Sequence, residues 1–434
     1  MTAAPTAPPQ PHAEAAGPTT SSNVRAWTVT ALLVVFMMVN FADKSVLGLA
    51  ADEIRADLHL SATQFGLVNG AFFLLFSVAA VVVGLAADRV SPKLLLVLMA
   101  LLWSVAQVPA AIGGGLAVLI GSRVFLGAAE GPAFPVAQQA TLAWFPNHRR
   151  NLPGALITLG VTLGVIVSAP GLSWVIQHHG WRTALWVLAG VGLVWAAVWA
   201  AFGADGRHHV GTAGADTRAE GAAGRVPYRR ILTSRTWVGA TVAYFTSYWT
   251  VALMLVWMPS YLRNGLGYTA DEAGTVVIAP WTIGAVVLLA QAGITGWLMR
   301  RGTGSRRARG WVGGALLALG AVCCLALPLV DGSTAKTVLV ALGFGLGGSY
   351  AAVAATSVAE LSPPSRSGGT LGVMNAVVTA AGLAAPAVVG ALVDSRGSDG
   401  YQSAIVLSGL LLAVGAVASF WLVDPARDIA RLSA

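Results

Sequence analysis

Long apolar runs, separated by short polar segments, follow one another along most of the chain. Each run has about 20 residues or more, the length that an α-helix needs to cross the roughly 30 Å hydrocarbon core of a bilayer. The runs lack the alternation of apolar and polar residues that is typical of strands in an outer-membrane barrel. We therefore predict an all-α integral membrane protein with twelve transmembrane helices, at residues 27–50, 63–87, 94–112, 116–144, 152–177, 182–203, 237–263, 271–299, 310–330, 334–360, 369–394 and 401–423.

The longest polar segment inside the chain, residues 204–236, divides the predicted helices into two sets of six. We assign residues 27–203 and 237–423 to two six-helix bundles that this cytoplasmic segment joins. Pro170 in the fifth helix and Pro386 in the eleventh occupy comparable positions in the two halves. Repeated halves are typical of transporters, which place a substrate site at the interface of the halves near the midplane.

The two ends of the chain differ in composition from the apolar runs. Residues 1–26 are rich in Pro, Ala, Ser and Thr, and they lack the charged start, short apolar run and cleavage site of a secretory signal. We predict a disordered cytoplasmic tail there. A second cytoplasmic tail is predicted at residues 424–434.

Composition and charge support a place in a membrane. Hydrophobic residues make up 56% of the chain and charged residues only 10%, against roughly 25% charged residues in soluble proteins. Most of the 26 Lys and Arg residues lie in loops on the side that carries both ends of the chain, and cytoplasmic loops retain such residues. Both termini are therefore predicted to be cytoplasmic. The net charge of +8 belongs to these loops, so we expect no nucleic-acid partner.

Four ionisable residues lie well inside predicted helices: Asp43, Lys44, Arg123 and Glu130. Each is a functional candidate because a charge at bilayer depth costs about 2.5–3.5 kcal/mol on insertion scales. Arg123 and Glu130 are seven residues apart, so they share one helix face with a rise of about 10.5 Å between them. We predict that Asp43 and Glu130 carry protons, because a buried carboxyl group near a cation can bind and release one. Lys44 and Arg123 are predicted to bind the negative group of a substrate.

The same four residues allow a purely structural interpretation. Arg123 and Glu130 can form buried charge pairs that lock helix packing. The ammonium group of Lys44 can extend to the lipid headgroups, although Lys44 lies some 17 residues into the first predicted helix.

Several segments of the first half resemble known family motifs. The loop from Gly84 to Lys93 resembles the signature loop of the major facilitator superfamily, with Ser91 and Pro92 where Gly and Arg are usual. The likeness is closer to its anion:cation symporter family, which includes bacterial galactonate, glucarate and phthalate transporters and sialin. The segments that carry it are residues 40–44 (NFADK), 123–135 (RVFLGAAEGPAFP), 144–146 (WFP) and 180–182 (GWR).

The resemblance implies a major facilitator fold in the plasma membrane, a monomer, and uptake of a small organic anion by alternating access. It implies that Gly84, Asp88, Arg89 and Lys93 form a gating brace on the cytoplasmic side. It also implies that Asp43 and Glu130 are the proton-coupling pair.

Departures from the family pattern bear on the substrate. Lys44 stands where the family usually has Arg, and Phe76 stands where many members have Tyr. Asn375, at a family position, and Tyr248 complete the predicted substrate-binding set. Because hydroxyl-binding groups are scarce, the sequence favours a carboxylate with few hydroxyl groups, aromatic or aliphatic.

Two other functions remain as alternatives. The first is a drug or metabolite exporter of the same fold that exchanges protons for an amphipathic compound. The second is a membrane enzyme, but the sequence shows no cluster of His, Cys and carboxylate residues. The two cysteines, Cys323 and Cys324, are adjacent in an apolar helix and indicate neither a disulfide nor a metal site, so no cofactor and no metal are expected.

Overall fold

The structure is a computed structural model and describes residues 20–86, 90–145, 151–206 and 227–433. Throughout these ranges it is helical, with no strand, which confirms the predicted fold class. Twelve helical segments are long and apolar enough to cross a membrane. Numbered 1 to 12 in chain order, these spans are Asn23–Leu49, Ala62–Ala80, Pro92–Ile112, Leu116–Leu142, Leu152–His179, Trp181–Phe202, Arg235–Val256, Ala270–Arg300, Arg306–Leu329, Ser333–Leu361, Gly369–Arg396 and Asp399–Leu422.

Four helices extend beyond these apolar cores. The helix of span 1 runs over Thr20–Leu49, that of span 2 over Ala62–Ala86, that of span 5 over Asn151–His179 and that of span 11 over Pro364–Arg396. The start at Thr20 corrects one prediction, because residues 20–26 are helical rather than part of a disordered tail. The remainder of that predicted tail, residues 1–19, lies outside the described residues.

Proline interrupts the predicted fourth and seventh helices. Span 4 consists of Leu116–Glu130 and Ala133–Leu142, because Pro132 lacks the N–H that would continue the helix. The predicted seventh helix, 237–263, breaks at Trp257, since Pro259 cannot donate to a preceding turn. It continues as a short helix, Met258–Ser260, and a π-helix, Tyr261–Gly265.

Short helices flank the spans. Ala51–Asp57 follows span 1, Tyr228–Leu232 precedes span 7, and Pro425–Ser433 follows span 12. The last of these covers most of the predicted second tail and is tied to the bundle, because the carboxylate of Asp428 accepts a 2.7 Å hydrogen bond from the backbone N–H of Thr236. This contact caps the start of span 7.

Spans 2 and 11 form the most extensive contact between the two halves. A Cβ atom added at Gly66 of span 2 would lie 2.2 Å from the carbonyl oxygen of Pro386 in span 11. Only glycine allows this approach of the two backbones. The two halves therefore pack backbone to backbone along this line.

The twelve spans place both ends of the chain on one side, here called the terminal face; the opposite side is the far face. Polar contacts join the halves at the far face. Arg263 forms ion pairs with Asp52 at 3.3 Å and Glu53 at 2.7 Å. The carboxylate of Asp394 accepts hydrogen bonds from the backbone N–H groups of Ala62 and Thr63, which begin span 2.

One further polar contact joins the halves deeper in the bundle, between the hydroxyl groups of Ser77 in span 2 and Thr379 in span 11, 2.5 Å apart. The polar contacts named here between the halves thus lie at the far face or at this depth. The structure is thus closed toward the far face.

Candidate functional site

The site centres on an ion pair between Lys44 of span 1 and Glu130 of span 4. The Nζ atom of Lys44 donates to Oε2 of Glu130 at 2.8 Å, and only 8% of the lysine side chain and none of the glutamate side chain is exposed. Lys44 also donates to the side-chain oxygen of Asn40, one helical turn earlier. The sequence assigned Lys44 and Glu130 to different tasks, whereas the structure makes them partners.

Asp43 points to a different neighbour. Its Oδ1 atom accepts a 2.7 Å hydrogen bond from Nε2 of Gln107 in span 3, and both side chains are buried. Oδ2 of Asp43 and Oε1 of Gln107 have no hydrogen-bond partner among the described residues. Oδ2 is therefore the free oxygen of the Asp43 carboxyl group at which a proton can bind.

Arg123 completes the charged cluster. It is buried on the same helix as Glu130, and its charge acts on both Asp43 and Glu130. Its Nε atom has no hydrogen-bond partner in the described part of the chain. The structure thus brings the four predicted intramembrane charges together as two cations and two carboxylates, all in the first half.

Aromatic rings surround the ammonium group of Lys44. Its Nζ atom lies 4.7 Å from the ring centroid of Phe41, 5.5 Å from that of Phe72 and 5.7 Å from that of Phe76. The negative face of a phenyl ring attracts a cation, so the rings stabilise the charge without engaging it in a hydrogen bond. Of these three rings only Phe76 was predicted.

The second half contributes aromatic residues to the same region. Tyr248 of span 7 contacts Phe73 of span 2 edge-to-face, with ring centroids 6.1 Å apart. Trp281 of span 8 contacts Phe41 in the same manner at 6.4 Å. Tyr248, Phe73 and Phe41 are only partly buried although they meet between the two halves. They therefore border a space between the halves, next to Lys44.

Asn375, the remaining predicted ligand, lies on span 11 and is half-buried. It is one turn from Thr379, the residue that contacts Ser77 across the halves, and the backbone carbonyl of Asn375 accepts from the Thr379 hydroxyl at 3.0 Å. Asn375 thus lies near the interface of the halves, one turn closer to the terminal face. No hydrogen bond joins it to Lys44.

Comparison with known proteins identifies the family. Residues 33–357 match the profile of the Major Facilitator Superfamily. The chain belongs to this superfamily. Together with the twelve spans, this makes it a multi-pass transporter of the plasma membrane and not an enzyme.

Three relatives span nearly the whole of this superfamily member. A probable sulfoacetate transporter of Cupriavidus necator is 28% identical and covers 91% of this chain and 93% of its own. A hexuronate transporter of Bacillus subtilis is 26% identical, and the match covers 91% of this chain and 94% of that transporter. A D-galactonate transporter of Escherichia coli is 26% identical, and the match covers 93% of this chain and 97% of that transporter.

Solved structures confirm the major facilitator fold. A bacterial homolog of the human lysosomal transporter Spinster superposes with a TM-score of 0.76 at 16% identity, covering 94% of this chain and 98% of its own. The D-xylose-proton symporter superposes with a TM-score of 0.73 at 13% identity, covering 93% of this chain and 99% of its own. At such identity the likeness concerns the fold alone.

The signature loop of the superfamily is only partly described. Asp88 and Arg89 of the predicted gating brace lie outside the described residues, and Gly84 lies on the helix of span 2. The backbone N–H of Lys93 donates to Oδ1 of Asp205 at 2.9 Å. Asp205 also bonds to the Ser91 hydroxyl and so caps the start of span 3.

Gln107 is the contact of the charged cluster that the sequence analysis missed, and it yields a prediction. Replacement of Gln107 by leucine removes the N–H donor to Asp43 with little change in volume. Because a hydrogen bond to a charged group contributes about 1.5–3 kcal/mol, the pH at which transport is half-maximal should rise by roughly one to two units. Transport rate against pH in vesicles measures this shift.

The matched control is Q291L, which removes another buried amide, in span 8, that has no hydrogen-bond partner among the described residues. Q291L should keep the pH profile of the native protein. Identical profiles for Q107L and the native protein would show that Gln107 does not influence Asp43.

Proposed function

We propose that the chain is a secondary transporter that takes up a small organic anion together with protons. The named relatives support the anion, because their names specify sulfoacetate, hexuronate and galactonate. The buried cluster supports the coupling, because it sets two carboxylates beside two cations at bilayer depth. Such groups are expensive to bury and mark ion or proton pathways.

The observation that carries the proposal is the ion pair of Lys44 with Glu130. The single positive charge of Lys44 can balance only one negative charge. Glu130 and a substrate anion therefore compete for Lys44. A proton on Glu130 neutralises the carboxylate and releases the lysine to the substrate. Proton binding and anion binding therefore favour each other, as linkage requires.

The cost of burying charge makes this exchange effective. Removing one partner of a buried ion pair costs about 3–5 kcal/mol, because the other charge is left without compensation. An empty carrier with protonated Glu130 and a free Lys44 is disfavoured for this reason, and so is a carrier that holds the anion beside an ionised Glu130. Two states therefore leave no buried charge unpaired: the carrier that holds both the proton and the anion, and the empty carrier with the ion pair intact. These are the states that can change between the outward-facing and inward-facing conformations.

The site lies where alternating access needs it. Lys44 borders the space between the halves, and the far face is closed by Arg263 and Asp394. Opening of those contacts, with closure at the terminal face, would expose the same site to the other side. With the termini in the cytoplasm, as the basic loops predict, the closed face is the external one.

The surroundings of Lys44 restrict the substrate. Three phenyl rings lie around the ammonium group, and Tyr248 and Trp281 extend the aromatic wall from the second half. These groups suit a carboxylate or sulfonate with an apolar body, and they offer few partners for the hydroxyl groups of a sugar acid. The ammonium group binds such an anion as a point charge rather than as a planar fork.

The test is uptake into membrane vesicles of radiolabelled aromatic, aliphatic, sulfonated and sugar carboxylates, with and without an imposed inward proton gradient. We expect the gradient to drive accumulation of an anion with few hydroxyl groups. Expulsion of solute driven by the gradient would instead favour the exporter. Uptake that ignores the gradient for every anion in the panel would refute proton coupling.

A further inference from the structure

The connection between spans 8 and 9 carries a group of arginines at the terminal face. Arg300 ends span 8 and Arg301 follows it, whereas Arg307 lies on the π-helix Arg306–Trp311 that begins span 9. All three arginines are exposed. Trp297 and Trp311 flank them, each four residues from an arginine. These five residues are called the arginine–tryptophan patch.

Acidic residues near the patch are engaged with other arginines. Glu360 bonds to Arg309 and to the hydroxyl group of Ser305, and Asp424 lies 4.0 Å from Arg306. Within the described residues, no acidic side chain forms an ion pair with Arg300, Arg301 or Arg307. The patch therefore has three positive charges without a counter-charge from the described chain.

Two of these arginines are held against tryptophan rings. The guanidinium of Arg301 lies 4.0 Å from the ring centroid of Trp297, and that of Arg307 lies 5.7 Å from the ring centroid of Trp311. The face of a tryptophan ring attracts a guanidinium at such distances without using its N–H donors, which can still bind a phosphate group. Both arginines are exposed at this face.

The tryptophans also set the depth of the patch in the membrane. Trp297 is 45% exposed and Trp311 47% exposed, and exposed aliphatic side chains such as Ile294 and Val322 lie on the same two spans. Exposed tryptophans where an apolar surface gives way to arginines are typical of the headgroup level of a bilayer. A ligand bound here has its charged group on the arginines and its apolar part along the spans.

We propose that the arginine–tryptophan patch binds the headgroup of an anionic phospholipid. Charge complementarity selects an anionic headgroup over a zwitterionic one, and the adjoining apolar surface selects a lipid over a free phosphate ester. Each arginine near an anionic surface contributes about a fivefold gain in affinity. Arg301 and Arg307 together are expected to contribute roughly 25-fold.

The test is native mass spectrometry of the purified full-length chain titrated with phosphatidylglycerol, phosphatidylcholine or glycerol 1-phosphate. The variants are R301Q/R307Q and, as a matched control, R182Q. Arg182 also stacks on a tryptophan, Trp181 at 4.2 Å, but it lies at the far face and is paired with Asp57. The measured quantity is the number of lipids retained at each lipid concentration.

We expect the native protein and R182Q to retain phosphatidylglycerol in preference to phosphatidylcholine, and R301Q/R307Q to need roughly 25-fold more phosphatidylglycerol for the same retention. Equal retention of the two lipids by the native protein overturns the proposal without recourse to any variant. Unchanged affinity in R301Q/R307Q places the lipid elsewhere. Equal binding of glycerol 1-phosphate shows a phosphate site rather than a lipid site.

Discussion

Replacement of Glu130 by glutamine is expected to abolish accumulation of the anion against its gradient while preserving exchange of anion for anion. Glutamine is nearly isosteric but cannot ionise, so Lys44 loses the carboxylate that it contacts at 2.8 Å and stays available to the substrate. A gradient of one pH unit supports roughly tenfold accumulation per coupled proton. In E130Q the gradient should drive no net uptake, because the empty carrier with an unpaired Lys44 is disfavoured, and the anion should move only by exchange. Gradient-driven uptake and counterflow in vesicles measure the two activities.

The control for E130Q is E360Q, since Glu360 bonds to Arg309 at the terminal face rather than in the central cluster. E360Q should accumulate the anion as the native protein does. Gradient-driven accumulation that persists in E130Q would remove Glu130 from the coupling step.

Replacement of Lys44 by methionine is expected to weaken anion binding by a factor of 100 or more and to destabilise the protein. The variant removes the ammonium group at the centre of the aromatic shell, and it leaves Glu130 as a buried carboxylate without its partner. Such an uncompensated charge costs about 3–5 kcal/mol. Equilibrium binding of the anion and thermal unfolding in detergent measure the two effects separately.

The double variant K44M/E130Q separates binding from stability. With both charges removed, unfolding should return close to that of the native protein, whereas anion binding should stay lost. K44R keeps the positive charge and should retain binding. If K44M/E130Q bound the anion as well as the native protein, the pair would have a role in helix packing alone.

Hydropathy was enough to predict the twelve spans, because the bilayer imposes one length and one composition on each. It did not predict where helices break. Pro132 and Pro259 interrupt the predicted fourth and seventh helices, and each break depends on a missing N–H rather than on an apolar pattern. Thr20 begins the first helix within a stretch whose composition resembles a disordered segment.

The charged residues of the candidate site could be predicted, because ionisable residues inside apolar helices are rare and costly. Asp43, Lys44, Arg123 and Glu130 stood out for their cost, and the structure brings all four together. The pairing of Lys44 with Glu130 could not be predicted, because it depends on the relative height and rotation of spans 1 and 4. Gln107 carried a signal, as an amide inside an apolar helix, but its partner is set by how spans 1 and 3 pack.

The substrate-binding roles of Asn375 and Phe76 stay predictions, although the structure shows where both residues lie. Asn375 lies near the interface of the halves, but no described contact links it to the charged cluster. Phe76 lies against Lys44, whereas Phe41 and Phe72 are closer to its ammonium group and were not predicted. Apolar residues in an apolar helix carry no mark in the sequence that tells a site wall from a packing surface.

The competition between Glu130 and the anion for Lys44 is tested most directly by counting the protons that the purified protein takes up when the anion binds. Isothermal titration calorimetry in buffers of different ionisation enthalpy gives that number. The account predicts an uptake of about one proton per anion in the native protein, because one carboxylate must be neutralised to release one ammonium group. It predicts no such uptake in E130Q. Anion binding to the native protein without proton uptake, at a pH where Glu130 is ionised in the empty carrier, would contradict it.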